Sequence, residues 1–110
     1  MCISDSIKVA LGTALVAADD PALLNEGIKQ LSTGLQQEPD YVGGYRQLAI
    51  AYGKAGRVPD AELATAQEHF NRGDYEMAHR FAQRAKQGLK PGSPPWLRAD
   101  DILKYKPPHS

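Results

Sequence analysis

The sequence predicts an all-α chain, a right-handed solenoid of antiparallel helix pairs with about five helices and a short capping helix at the C-terminus. Three observations predict it. No stretch alternates apolar and polar residues for long enough to make a strand. A step of 34 residues takes Leu11 to Tyr45, Ala14 to Leu48, Leu15 to Ala49, Ala18 to Tyr52 and Gly27 to Ala61. Class is kept along that step, with changes of size at Ala14 to Leu48 and Ala18 to Tyr52. A half-step of 17 takes Gly56 to Gly73 and Ala61 to Ala78. The segments 56–61 and 73–78 therefore read as two copies of one helix–turn–helix junction.

A period of 34 made of two halves of 17 is the tetratricopeptide-repeat (TPR) pattern. Its residue types follow from packing. Antiparallel helices need alanine or glycine where their backbones approach, and Tyr45, Leu48 and Tyr52 then fill the space beside the small residues. A glycine in each turn ends a helix in the left-handed conformation without steric cost.

In chain order, the first helix covers about 5–18 and breaks at Asp19-Asp20-Pro21. Asp20 is placed to cap the second helix, 21–37, with Pro21 at its first position. Glu38-Pro39-Asp40 is read as the turn between repeats, and the third helix covers 41–55, stopped by Gly56. The fourth covers 59–71. Asp74 caps the fifth, 74–89, whose stripe is Ala78, Phe81, Ala82 and Ala85. Lys90 to Pro95 reads as a loop, 95–105 as the closing helix, and the last residues as a frayed tail. The whole of 1–110 reads as a single domain.

Composition narrows the function. Lysine plus arginine equals aspartate plus glutamate at 13 each, so the basic excess of a nucleic-acid binder is missing. The longest apolar run, Val9 to Ala18, is too short to span a bilayer. Asp5 offsets the basic flank that a signal peptide would need, so the run is assigned to the first helix. The single cysteine, Cys2, has no partner for an internal disulfide or a zinc ribbon.

No catalytic, cofactor or metal site is expected. His69, His79 and His109 form no HExxH, and Glu68 has no second histidine within helical reach. His69 and His79 are expected as half-exposed helix residues. Ser32 and Ser93 have no base brought to them, and Gly43-Gly44 follows no strand that would make it a phosphate loop. Those two glycines are expected to let the third helix approach a neighbour closely.

What remains is a binding surface. In a helical solenoid the first helix of each pair lines the concave face. The expected partner-binding residues are Arg46, Ile50 and Lys54 on the third helix and Leu63, Gln67 and Asn71 on the fourth. Arg46 and Lys54, eight residues apart, are expected to hold a carboxylate from one face. Phe70 and Tyr75 are assigned to the core. The first helix, with Ile7, Val9, Leu11, Leu15 and Val16, is the face expected to remain uncovered and to support a homodimer.

The stretches 47–56 and 61–70, then Gly73-Asp-Tyr, then the ending Lys90-Pro-Gly-Ser-Pro-Pro-Trp-Leu-Arg-Ala-Asp-Asp-Ile102, resemble one group of sequences. They are similar to the C-terminal TPR region of bacterial zinc-dependent metallopeptidases of the HtpX and prenyl-protease-like clan. The resemblance covers about Ile7 to Ile102. It implies an HExxH catalytic domain outside these residues, which alone would hold zinc. It also implies an accessory role here: holding protein or peptide clients, or the parent's own protease domain, in the periplasm or at the envelope. The alternatives are a free-standing structural or dimerisation adaptor, and a segment whose function is the proteolysis of its parent.

Overall fold

The computed structural model describes residues 5–18, 20–37 and 43–106. Among them are six helices and no strand: α1 (Asp5–Ala17), α2 (Pro21–Gln37), α3 (Gly44–Lys54), α4 (Val58–Asn71), α5 (Tyr75–Gly88) and α6 (Pro94–Lys104). The chain is all-α, as expected. Within the described residues each expected helix end lies within two residues of the observed one, and α2 matches at both ends. The expected start of the third helix at Tyr41, the turn 38–40 and the tail 107–110 lie outside the described residues.

The half-period of 17 returns as a repeated hydrogen-bond pattern. After α3, the amide of Gly56 donates to Gly53 O and that of Arg57 to Tyr52 O; after α4, Gly73 donates to Phe70 O and Asp74 to His69 O. Every partner is displaced by 17. Gly56 and Gly73 take φ of 76° and 82°, left-handed values that glycine adopts without penalty. The six-to-one bond closes a Schellman turn, which satisfies the last carbonyls of each helix.

The starts of the helices diverge where the turns agree. Asp20 Oδ1 accepts from Ala22 N at 2.9 Å, and Asp74 Oδ1 accepts from Met77 N at 3.4 Å. Arg57, the 17-residue equivalent of Asp74, offers no acceptor to α4. Its guanidinium lies 4.6 Å from the centre of the Tyr52 ring and pairs with Asp60 at 3.1 Å. The closing helix begins earlier than a proline-rich loop suggests. Ser93 caps it, accepting from Trp96 N at 3.4 Å and donating to Lys90 O at 2.7 Å. Pro94 and Pro95 occupy the first turn, where a missing N–H costs no helical bond.

Helices α1 and α2 run antiparallel, and so do α4 and α5, where Pro59 meets Gly88. Gly12 and Val16 of α1 face Leu31 and Gly27 of α2, Arg46 of α3 meets Glu68 of α4, Glu62 of α4 meets Arg84 of α5, and Lys86 of α5 meets Asp100 of α6. Contacts between next-but-one helices are uneven: α4 meets α6, α1 touches α3 only slightly, and α3 and α5 do not meet among the described residues.

Two apolar clusters result, with α4 contributing to both. Val9, Val16, Ile28, Leu31, Leu35, Leu48, Ala51 and Ala64 form one. Leu63, Ala66, Ala78, Ala82, Ala85, Ala99 and Ile102 form the other. The expected stripe of the fifth helix is confirmed at Ala78, Ala82 and Ala85, with Phe81 half-buried beside them. Phe70 and Tyr75 pack edge to face at 5.4 Å, together with Tyr105. The expected uncovered face of the first helix divides in two: Val9 and Val16 are buried and Leu15 is half-buried, whereas Ile7 and Leu11 stay 57% and 47% exposed. An α-helix apolar on every side must turn some positions inward, and the α2 crossing selects Val9 and Val16.

Candidate functional site

A groove of about 360 Å³ opens between α2, α3, α4 and α6. Its lining follows helical spacing. Tyr45, Leu48 and Tyr52 come from one stripe of α3, and Asp60, Leu63, Ala64 and Gln67 from one stripe of α4. Ser32, Leu35 and Gln36 border it from α2, and Pro95 and Arg98 from α6. Apolar atoms make the floor, and hydroxyl, amide and charged groups surround it. A site with an apolar floor and a few convergent polar groups is the usual form of a ligand pocket, and its volume lies within the usual range.

Of the six residues expected to bind a partner, Leu63 and Gln67 lie in this groove. Leu63 is only 7% exposed and also belongs to the second core cluster, so it serves as floor. The other four lie elsewhere. Arg46 donates to Glu68 Oε1 at 3.2 Å, and Arg72 shares that carboxylate at 3.7 Å. Lys54 Nζ donates to Val16 O at 3.2 Å and lines a separate cleft with Asp20, Pro21, Leu24 and Asn25. Ile50 is 44% exposed, and Asn71 is exposed at the end of α4. Arg46 thus turns towards α4 and Lys54 towards α1, and the two do not form a joint cationic site. The groove lies on the Tyr45–Leu48–Tyr52 side of α3, the side assigned to packing.

Electrostatics tie the border together. Asp100 Oδ1 accepts from Lys86 at 2.8 Å, and its Oδ2 lies 2.7 Å from Lys104 Nζ. Lys104, then Lys86, hold the Asp100 carboxyl below its ordinary value against the opposing effect of desolvation. Asp100 in turn raises Lys104. Lys86 Nζ also lies 4.3 Å from the centre of the Trp96 ring, so one lysine joins α5 to two successive turns of α6. At the far end of α6, hydrogen bonding with Tyr105 raises the Tyr75 phenol above its usual range, followed by burial and repulsion.

The histidines are involved in packing. The His69 ring stacks parallel on Phe81 at 5.7 Å and its Nδ1 lies 3.5 Å from Asp74 Oδ2. His69 Nδ1 and His79 Nε2 are buried without a hydrogen bond. Among the described residues no group of three or more His, Cys, Asp or Glu side chains converges. No helix among them is long and apolar enough to cross a membrane.

No family model, no curated protein and no solved structure matches the chain. Sequence reasoning missed Ser32, Gln36 and Arg98 as groove residues. The spacing Tyr45, Leu48, Tyr52 against Asp60, Leu63, Gln67 carried a signal, because the two stripes face each other across the three-residue connection 55–57. The closure by α6 carried none, since it depends on a contact outside the repeat register.

Proposed function

We propose that this chain is a TPR-like helical-repeat module that binds extended segments of other proteins in the groove between α2, α3, α4 and α6. One observation carries the reading: two tyrosines and three leucines line the groove beside the hydroxyl and amide groups of Ser32, Gln36 and Gln67. Such a border can bond the main chain of a peptide while the floor takes its apolar side chains. The repeated Schellman turns at Gly56 and Gly73 support the repeat assignment.

The residues 47–56, 61–70 and 90–102 that resemble the TPR region of zinc metallopeptidases supply the setting we propose. The module holds clients beside a zinc site carried by another part of its parent, in the periplasm or at the envelope. In that setting no residue described here takes part in proteolysis. Zinc titration of the purified chain tests this part: no stoichiometric metal and no protease activity are expected, and stoichiometric zinc at His69 or His79 would overturn it.

Chemical-shift mapping tests the groove, using a decapeptide selected from a random phage-displayed library. Shifts concentrated on Ser32, Gln36, Tyr45, Tyr52 and Gln67 are expected. Shifts scattered over the outer faces of α3 and α5 would contradict the proposal. A second reading, an adaptor that self-associates through α1, is favoured by the exposure of Ile7 and Leu11 one turn apart.

A further inference from the structure

We infer that the groove selects acidic segments, with Arg98 pairing to the carboxylate of an Asp or Glu side chain that flanks an apolar residue seated on the floor. This rests on the reading of the groove as a peptide site and names the class of peptide it takes. Four cations carried by residues 46 to 86 are already paired. Arg46 is held by Glu68 at 3.2 Å and Arg84 by Glu62 at 3.6 Å. Arg57 is held by Asp60 at 3.1 Å and Lys86 by Asp100 at 2.8 Å. Arg98 borders the groove, is exposed, and meets no carboxylate, carbonyl or aromatic ring among the described residues.

The groove also holds little negative charge to oppose an acidic ligand. Its one carboxylate, Asp60, is already paired with Arg57. Arg98 therefore places a positive charge with no ion-pair contact among the described residues at the border of a half-enclosed, partly apolar space. A charge pair is stronger there than on an open surface. The guanidinium offers a planar fork that suits a carboxylate in bidentate geometry.

The cation is also well positioned. It stands one turn after Pro95, which lines the same groove, on a helix capped by Ser93 and fastened to α5 by Lys86 and Asp100. Little ordering is needed beyond the side chain itself, so less is lost on binding. The neighbouring floor of Tyr45, Leu48, Tyr52 and Leu63 takes an aliphatic or aromatic residue, and the preferred ligand pairs such a residue with an acid.

The test is selection of random phage-displayed decapeptides against the native chain and against Arg98→Gln, an exposed change. Each selected peptide is then measured by fluorescence anisotropy beside its acid-to-amide version. The native chain is expected to enrich Asp or Glu next to Leu, Phe or Tyr, and to bind the amide version about tenfold more weakly. Arg98→Gln is expected to bind both versions within about twofold of each other. Apolar peptides that shift Tyr45 and Tyr52 resonances with no acidic preference, or an acidic preference that persists in Arg98→Gln, would overturn the inference and leave the groove reading standing. Selection of nothing above background, or of peptides that leave the groove resonances unmoved, would overturn both.

Discussion

At the scale of single residues a close backbone approach constrains the crossing of α1 and α2. A Cβ added to Gly12 would lie 2.7 Å from Leu31 Cγ and 2.9 Å from Gly27 O, and one on Gly27 would lie 2.8 Å from Val16 Cγ2. Alanine ordinarily gains about 0.5–1 kcal/mol over glycine inside a helix. Overpacking of this kind costs about 1–3 kcal/mol, so it outweighs that gain. Gly12→Ala and Gly27→Ala are expected to lower stability in urea titrations. Gly53→Ala, where nothing lies within 4 Å, is expected to raise it by about 0.5–1 kcal/mol. Gly27 stood in the 34-residue register, whereas Gly12 carried no signal in the sequence, because only the fold supplies its partner. A second residue-scale prediction concerns pH. Lys104 and Lys86 lower the native Asp100 carboxyl, so this pairing stabilises the fold fully above the unfolded aspartate value of about 3.9. It is lost as pH falls through the lower native value. Thermal melts of Asp100→Asn are expected to show lower stability at neutral pH and a flatter decline in acid than the native chain.

At the scale of elements, the turns were the most legible part of the sequence and the helix starts less so. Copies related by 17 residues share the bonds that close the turns at Gly56 and Gly73, because a Schellman turn depends on one glycine and on backbone groups alone. Asp20 and Asp74 were legible as caps for the same local reason. Ser93 was not, since Pro94-Pro95 reads equally as loop and as first helical turn. Removing a side-chain cap costs about 1 kcal/mol. Asp74→Ala is expected to lower stability by that amount. Ser93→Ala is expected to lower it similarly and to speed amide exchange across 94–104 before the rest of the chain. Equal protection of 94–104 in the native chain and in Ser93→Ala would remove the cap from the account.

At the scale of the molecule, helix content and order could be read from periodicity, but the side on which the groove opens could not. The side of α3 that bears Leu48 both packs on α2 and opens, at Tyr45 and Tyr52, into the groove. The contact of α6 with α4 brings Pro95 and Arg98 to that side, and no local period encodes it. The opposite side of α3 spends its charges on neighbours, Arg46 on Glu68 and Lys54 on Val16 O. If the exposed Ile7 and Leu11 support self-association, light scattering should show a dimer that Leu11→Glu abolishes; a strict monomer at high concentration would dismiss that face as an interface. The central claim is that a partner segment lies against Tyr45 and Tyr52. Its most direct test is photo-crosslinking with benzoylphenylalanine placed at Tyr52 in one variant and at Ile50 in another, each mixed with a selected decapeptide. The account predicts a crosslink from position 52 and none from position 50. A crosslink from position 50 with position 52 silent would contradict it.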